Sequence, residues 1–262
     1  VNPFRYEFGY AWPYAYGHLI PIAIGAIALI LAFRFKRTWL KAIAALVMTW
    51  GIAGLLILHF AIRINLPMQL PTAKFLEGRE GRVLDVGAGS GRASLMVLLA
   101  RPRTNVVALD IFSNNYGIET NTPERLFANA SIAGVRERLE ATSADMREMP
   151  FEDASFDAVV STYAIDHMRR SESIRALHEV HRVLRPGGDF LLAVMRTDAY
   201  VHTAFPVLAS HGVFGPDGAE QGWREMLEQA GFEIIESGPA PATVYVLARK
   251  AFNAPMKEAD SG

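Results

Sequence analysis

The sequence contains no cysteine, which removes disulfides, thiolate metal sites, cysteine nucleophiles and thiol redox switching together. It also lacks a surplus of positive charge: 26 Lys and Arg stand against 27 Asp and Glu, for a formal charge of -1. Without a global positive field, nucleic acid is excluded as the expected partner. Charged residues make up only 20% against 51% hydrophobic ones, a balance that excludes disorder as the dominant state of the 262-residue chain.

What is present first is a long apolar front end. From Phe8 to Phe33 no residue is charged, and Leu19 to Phe33 is almost wholly apolar. After Arg34, Lys36, Arg37 and Lys41, a second uncharged stretch runs from Ala42 to Ile62, roughly 30 Å of helix and so the thickness of a hydrocarbon core. Two such segments this close predict a membrane hairpin over residues 1–63, with helices at about 14–33 and 42–62. Tyr10, Trp12, Tyr14 and Tyr16 before the first and Trp39 between them suit the lipid–water boundary. Arg5 is offset by Glu7 and a second apolar segment follows, a poor fit to a cleaved signal peptide. Pro21, Gly51, Gly54 and His59 would equally suit a close-packed helical pair lying on a domain. The loop's four positive residues nearly balance Arg5, Arg63, Lys74, Arg79 and Arg82 on the other side, so charge alone does not orient the hairpin, and entering and leaving one leaflet stays open.

Residues 64–76 contain Pro67 and Pro71 and read as an interfacial connector. Beyond them, short apolar runs alternate with helical patterns from Arg82 to Met195, which predicts strands of a parallel sheet covered on both faces. Phe232–Ser237 and Thr243–Arg249 leave little room for a helix between them and predict an antiparallel hairpin at a sheet edge. The fold class expected is α/β, a Rossmann-like doubly wound seven-stranded sheet in residues 77–250 behind a two-helix membrane hairpin, with a polar tail at 251–262.

The first strand runs into Asp85-Val86-Gly87-Ala88-Gly89-Ser90-Gly91. Glycines there let a ligand approach the backbone, and the helix that follows offers unpaired N–H donors. The dinucleotide fingerprint would need glycine where Arg92 stands, which disfavours NAD or FAD. Asp110 closes the second strand 25 residues after Asp85, where a carboxylate can accept from both hydroxyls of a ribose. A nucleoside ligand is the reading these two features support together.

In these residues the chain resembles the class I S-adenosylmethionine-dependent methyltransferases. Val83 to Gly91 looks like their first motif, Asp110 like their ribose-binding acid, and Ser143-Ala144-Asp145-Met146 like their adenine-contacting segment. Phe156 to Val160 resembles the fourth-strand region, and Val183 to Gly188 the turn before strand five. The resemblance implies S-adenosylmethionine as cofactor, held by Asp85, Gly87, Ala88, Gly89, Asp110, Ile111, Asp145, Met146 and Ser161. Asp85 would orient the amino group, Asp145 would accept from the adenine amine, and the Met146 N–H would meet a ring nitrogen.

The Asn/Asp-Pro-Pro-Tyr/Phe motif of methyltransferases acting on nucleobase or glutamine nitrogen is absent; Ile165-Asp166-His167 instead resembles the small-molecule members. There Asp166 or His167 would touch the acceptor and His167 would remove its proton, although His167 could equally cap the next helix. Tyr116, Tyr163 and His202 are expected in the acceptor pocket. Asn121-Thr122-Pro123-Glu124 reads as a helix start. The seven histidines include His178 and His181, which belong to a packing helix, and no metal is expected.

The expected function is a membrane-bound methyltransferase acting on a small lipophilic acceptor, with the lipid bilayer as partner and the catalytic domain facing the cytoplasm, where the cofactor is made. Its rivals are a non-catalytic membrane scaffold that binds the cofactor and an aminopropyltransferase-like enzyme.

Overall fold

The computed structural model describes residues 5–114, 117–196, 214, 218–240 and 243–252. Tyr116 and His202 lie outside the described residues, as does nearly all of the segment expected to form a lid after strand five.

Seven strands form one sheet: β1 (Gly81–Val86), β2 (Thr104–Asp110), β3 (Leu139–Ser143), β4 (Phe156–Thr162), β5 (Leu184–Met195), β6 (Phe232–Ala240) and β7 (Thr243–Lys250). Their order is β3-β2-β1-β4-β5-β7-β6. β1 to β5 run parallel, and β7 enters antiparallel between β5 and β6. The expected hairpin is therefore at the edge, with β6 outermost.

Alternation along the strands sends residues to two covered faces, which is why the runs read as continuously apolar. Leu84, Val86, Leu109, Val159 and Leu192 pack on one side with α6 (Arg170–Val183) and α7 (Ala219–Gln229). Val83, Val106, Ala108, Val160 and Leu191 pack on the other with α4 (Arg92–Ala100) and α5 (Pro123–Ala133). α5 begins as its sequence dictates: Pro123 is in the first turn and Thr122 Oγ1 accepts from the Arg125 N–H.

The turn expected at Arg185-Pro186-Gly187-Gly188 is instead drawn into β5, whose pairing with β4 shifts register between Phe156 and Ala158. The extra length is absorbed as a bulge, with Gly187 at φ +76°.

Ahead of the sheet lie α1 (Trp12–Tyr16), α2 (Leu19–Arg34) and α3 (Thr38–Leu56), the last running on through a π-helical turn, Ile57–Ala61. A break at Gly17 and His18 separates α1 from α2. The two long helices approach closely through small residues. A Cβ on Gly25 would stand 2.4 Å from Met48 Cγ, and one on Gly51 2.8 Å from Ile22 Cγ1. Their outer sides are apolar and uncovered: Ile27, Ile30, Phe33, Leu46 and Phe60 are all at least 60% exposed. Among the described residues one helix, Thr38–Ala61, is long and apolar enough to cross a membrane; Leu19–Arg34 is apolar but shorter.

The connector is built into the domain. Phe75 and Leu76 are fully buried, the Leu76 N–H donates to Asp189 Oδ2 at 2.9 Å, and Arg101 Nε donates to Phe75 O at 2.8 Å.

Candidate cofactor and acceptor site

The C-terminal ends of β1, β2 and β4 converge on the glycine loop. Gly87 and Ala88 donate their N–H groups to Leu109 O, which folds the loop across the end of β2. Gly87, Gly89 and Gly91 all have positive φ. At Gly87 a side chain is excluded outright, because a Cβ would lie 2.2 Å from Ala164 Cβ.

Asp85 points to the α4 side and is fully buried. Ser94 donates to its Oδ2 at 2.6 Å, while Oδ1 has no partner. Burial pushes this carboxyl up to about 7, opposed by the Ser94 hydrogen bond and reinforced by the charge of Asp110. Asp110 is held by the loop it faces. Its Oδ2 accepts from Gly89 N–H at 2.8 Å, and its Oδ1 from Phe112 N–H at 2.6 Å and Asn121 Nδ2 at 3.1 Å. Ala88 lies buried in the loop, and Ile111 stands 45% exposed just past Asp110.

Asp145 follows β3 and forms a forked ion pair with Arg147, which also reaches Glu172. Hydrogen bonds from Arg147 hold the Asp145 carboxyl below the usual range. Met146 turns its methyl toward Gly87. The structure thus brings Asp85, Gly87, Ala88, Gly89, Asp110 and Met146 around one loop, with Asp145 at the end of the neighbouring strand.

Ser161 is the remaining residue expected at the cofactor. It is fully buried and its hydroxyl donates to Val86 O at 2.8 Å, so it ties β4 to β1. Asp166 sits in the short 3₁₀ turn Ile165–His167, is buried, and accepts from the Met195 N–H at 3.1 Å, bracing the end of β4 against the end of β5. His167 lies half-buried in the same turn. Tyr163, at φ +51°, hydrogen-bonds Thr243 and lines a cleft with Arg92, Ala193, Met68 and Gln69.

Sequence reasoning missed how the N-terminal segment closes over this site. The backbone of Glu7 pairs in both directions with Asn129, whose Nδ2 also reaches Ser90 O; Ser90 Oγ donates to Phe8 O at 2.7 Å. Tyr10 bridges Ile118, and Phe8 is buried. Each of these pairings has a main-chain group on at least one side and leaves no periodicity to read. Arg92, noticed only as a departure from a glycine fingerprint, donates to Leu66 O, Ile62 O and Arg63 O, fastening the exit of α3 to the loop. Among the described residues no cluster of three His, Asp or Glu could hold a metal ion.

The residues present fit S-adenosylmethionine on their own chemistry. A buried carboxylate oxygen of Asp85 lacks a donor where an amino group would supply one. Asp110 keeps acceptor capacity for hydroxyls beyond the donors it already has, and the glycine loop between the two acids has no room for side chains at Gly87 and Gly89.

A family model described as a methyltransferase domain matches residues 84–192. The chain is 33% identical over 173 residues to 24-methylenesterol C-methyltransferase 2 of Oryza sativa subsp. japonica, covering 63% of this chain and 45% of that one. It is 36% identical over 109 residues to the ubiquinone/menaquinone biosynthesis C-methyltransferase UbiE of Brucella anthropi, covering 41% and 38%. To the O-methyltransferase rstn1 of Aspergillus nomiae it is 30% identical over 160 residues, covering 60% and 67%. The chain spans less than half the length of the first two relatives. Among solved structures, an O-methyltransferase family protein from Burkholderia thailandensis superposes with a TM-score of 0.56 at 13% identity, covering 88% of this chain and 71% of that one. An O-methyltransferase family 2 protein from Planctomyces limnophilus does so at 0.55 and 20%, covering 77% and 62%; at such identities the likeness is one of fold. With a Rossmann-like sheet, a glycine loop between two acids, and relatives that share its sequence, the chain belongs to the class I methyltransferases, whose methyl donor is S-adenosylmethionine.

Proposed function

We propose that this protein is a membrane-anchored methyltransferase that moves the methyl group of S-adenosylmethionine to a small lipophilic acceptor: a quinone, an isoprenoid, a phospholipid amine or a thiol. The observation that carries this reading is the placement of the apolar helix pair. The exit of α3, Ala61 to Arg63, forms one wall of the cleft whose other wall is Tyr163 at the end of β4. A lipid-facing helix thus leads to the edge of the sheet where the cofactor loop lies. Sterol and quinone C-methyltransferases among the relatives agree with a lipophilic acceptor.

Bilayer insertion is supported by the exposed apolar sides of α2 and α3 and by their contact through Gly25, Gly51 and Gly54, the small-residue packing that membrane helices use. A cytoplasmic catalytic domain follows from where the cofactor is made.

When bound, S-adenosylmethionine supplies a methyl group already activated by a positive sulfur. The protein's work is then to hold, align and dry the reactants, for which alignment alone supplies on the order of 7–11 kcal/mol. Asp85 holds the amino group, Asp110 the ribose hydroxyls, and Asp145 and Met146 the adenine. His167 would take a proton from the acceptor, and Asp166 ties their shared turn to the end of β5.

The test begins with calorimetric titration of S-adenosylmethionine into the detergent-purified protein, with Asp110→Ala as control and NAD as competitor. Binding that is lost in the variant and untouched by NAD, followed by label transfer to quinol, isoprenoid or thiol acceptors, is the expected result. Binding without transfer to any lipophilic acceptor would favour the scaffold reading. Because the chain has no cysteine, a single cysteine placed between Arg34 and Lys41 reports topology. Its labelling from the cytoplasmic side by an impermeant reagent would sink the spanning version.

A further inference from the structure

The cleft between the hairpin exit and Tyr163 is lined by Arg63 and Arg92. Arg92 is 8% exposed, and its three described hydrogen bonds are to neutral backbone carbonyls of Ile62, Arg63 and Leu66, made through Nε and Nη2. Among the described residues neither guanidinium has a carboxylate within 4.0 Å. A buried cation neutralised by no acid is an expensive arrangement that an anionic ligand relieves. The Tyr163 and Thr243 hydroxyls, bonded to one another, and the Gln69 amide bring further polar groups to the same walls, while Met68, Pro67, Ala61 and Ile62 make the remainder apolar. Among the described residues nothing acidic lines the cleft.

We infer that this cleft binds the oxyanion of the methyl acceptor, and that the acceptor is an amphipathic phenol or enol, held as its anion by Arg92 and Arg63 with its apolar part toward the hairpin. The inference rests on the methyltransferase reading and narrows its acceptor class. Ionisation of the hydroxyl raises electron density on oxygen and on the ring or vinyl carbon conjugated with it, either of which can attack a methyl group. The proton leaves to a base or to water before attack. The new bond to methyl forms as its bond to sulfur breaks, and the thioether departs neutral, so the acceptor's negative charge and the sulfonium's positive charge cancel. Primary amines and neutral isoprenoid alkenes gain nothing from two arginines that have no carboxylate partner among the described residues, which sets them below phenols in the proposed acceptor class.

The probe is a 4-nitrophenol carrying a decyl chain, whose anion is coloured, with its methyl ether as control. It is titrated against pH with the full-length protein in zwitterionic detergent and with detergent alone. The expected result is about a tenfold preference for the anion when protein is present, from opposite charges at close range. That preference should be largely lost in Arg92→Met and reduced in Arg63→Gln, while the methyl ether binds more poorly than the phenol. Arg63→Gln carries the test should Arg92→Met fail to fold, since no hydrogen bond from the Arg63 side chain is described. An unshifted wild-type titration, or a shift that survives both substitutions, overturns the inference. Displacement of the probe by phosphatidylglycerol but not by phosphatidylcholine would assign the cleft to a lipid headgroup and overturn it as well. S-adenosylmethionine titration of the same samples separates the two levels. Cofactor binding without a probe shift fails the oxyanion cleft alone, whereas a probe shift without cofactor binding removes its assignment to a methyl acceptor.

Discussion

Ser94 donates its hydroxyl to one oxygen of Asp85 at 2.6 Å, and the other oxygen of the same buried carboxyl has no partner. One residue of the first turn of α4 thus half-satisfies a buried carboxylate near the end of β1, and the other half is left without a donor. A group so placed costs stability in the ligand-free fold and recovers it only when a donor arrives.

Asp85→Asn is therefore expected to separate stability from function. An ordinary carboxyl titrates at about 3.9 in the unfolded chain, whereas this one is pushed up to about 7. Between those values the folded state holds a proton that the unfolded state has released, so stability falls as pH rises through the window and stays low above it. The variant should melt higher than wild type at pH 8 without ligand. It should also bind S-adenosylmethionine about tenfold or more weakly, the range for a lost hydrogen bond to a charged group. Scanning calorimetry and ligand titration check the two halves; a lower melting temperature at pH 8 would contradict the first.

Gly87→Ala and Gly134→Ala distinguish a crowded turn from a merely strained one. Both glycines have positive φ, +74° and +72°, but a Cβ at Gly87 meets Ala164 at 2.2 Å while at Gly134 it meets nothing within 4 Å. Gly134→Ala should cost about 1 kcal/mol, the left-handed backbone penalty alone. Gly87→Ala should cost more and abolish cofactor binding, because the turn Tyr163–Ala164 must move. Denaturant unfolding of both variants tests this, and equal costs would refute it.

The sheet was legible because its strands are short apolar runs buried on both faces, and the two acids beside the glycine loop stood out because each lies at or next to the C-terminal end of such a run: Asp85 before Val86, Asp110 after Val106 to Leu109. Thr122 and Pro123 announced α5 through local chemistry that needs no tertiary partner. Contacts made by backbone across long separations were not legible. Glu7 with Asn129 and Phe8 with Ser90 use main-chain groups that every residue carries. Arg92 looked like a mismatch because its partners are carbonyls of the connector, which have no sequence signature. The bond from Ser161 to the Val86 carbonyl was not legible for the related reason that a serine at a strand end can serve a cofactor or a neighbouring strand equally well.

Ser161→Ala provides the corresponding functional check. Removing a buried hydroxyl that donates at 2.8 Å to Val86 O leaves that carbonyl short of a donor, at a cost of about 1–3 kcal/mol. Since the hydroxyl faces the strand interface, S-adenosylmethionine affinity should stay within about twofold at a temperature well below melting. A drop of tenfold with little change in melting would return Ser161 to the cofactor site.

His181 sets the acid side of the stability profile, against Asp85. Its ring packs edge-on against Phe232 with Nε2 buried and without a partner, and Lys250 Nζ donates to the His181 carbonyl at 2.7 Å. Burial first, then the charges of Lys250 and His178, pushes the imidazole down to about 4, against about 6.5 in an unfolded chain. Between those values the unfolded chain takes up a proton that the fold refuses, so this contribution is complete above about 6.5 and is lost as pH falls toward 4. Asp85 acts in the opposite direction over much of the same interval, gaining stability as pH falls. Wild type should consequently show a shallow profile between pH 7 and 4.5. Removing either group should tilt it: His181→Met should melt higher at pH 5 than at pH 7, and Asp85→Asn lower. Melting temperatures of the two variants and of the double variant, measured without ligand at both pH values, decide the matter. Parallel tilts in the two single variants would show that the opposing titrations do not govern this window.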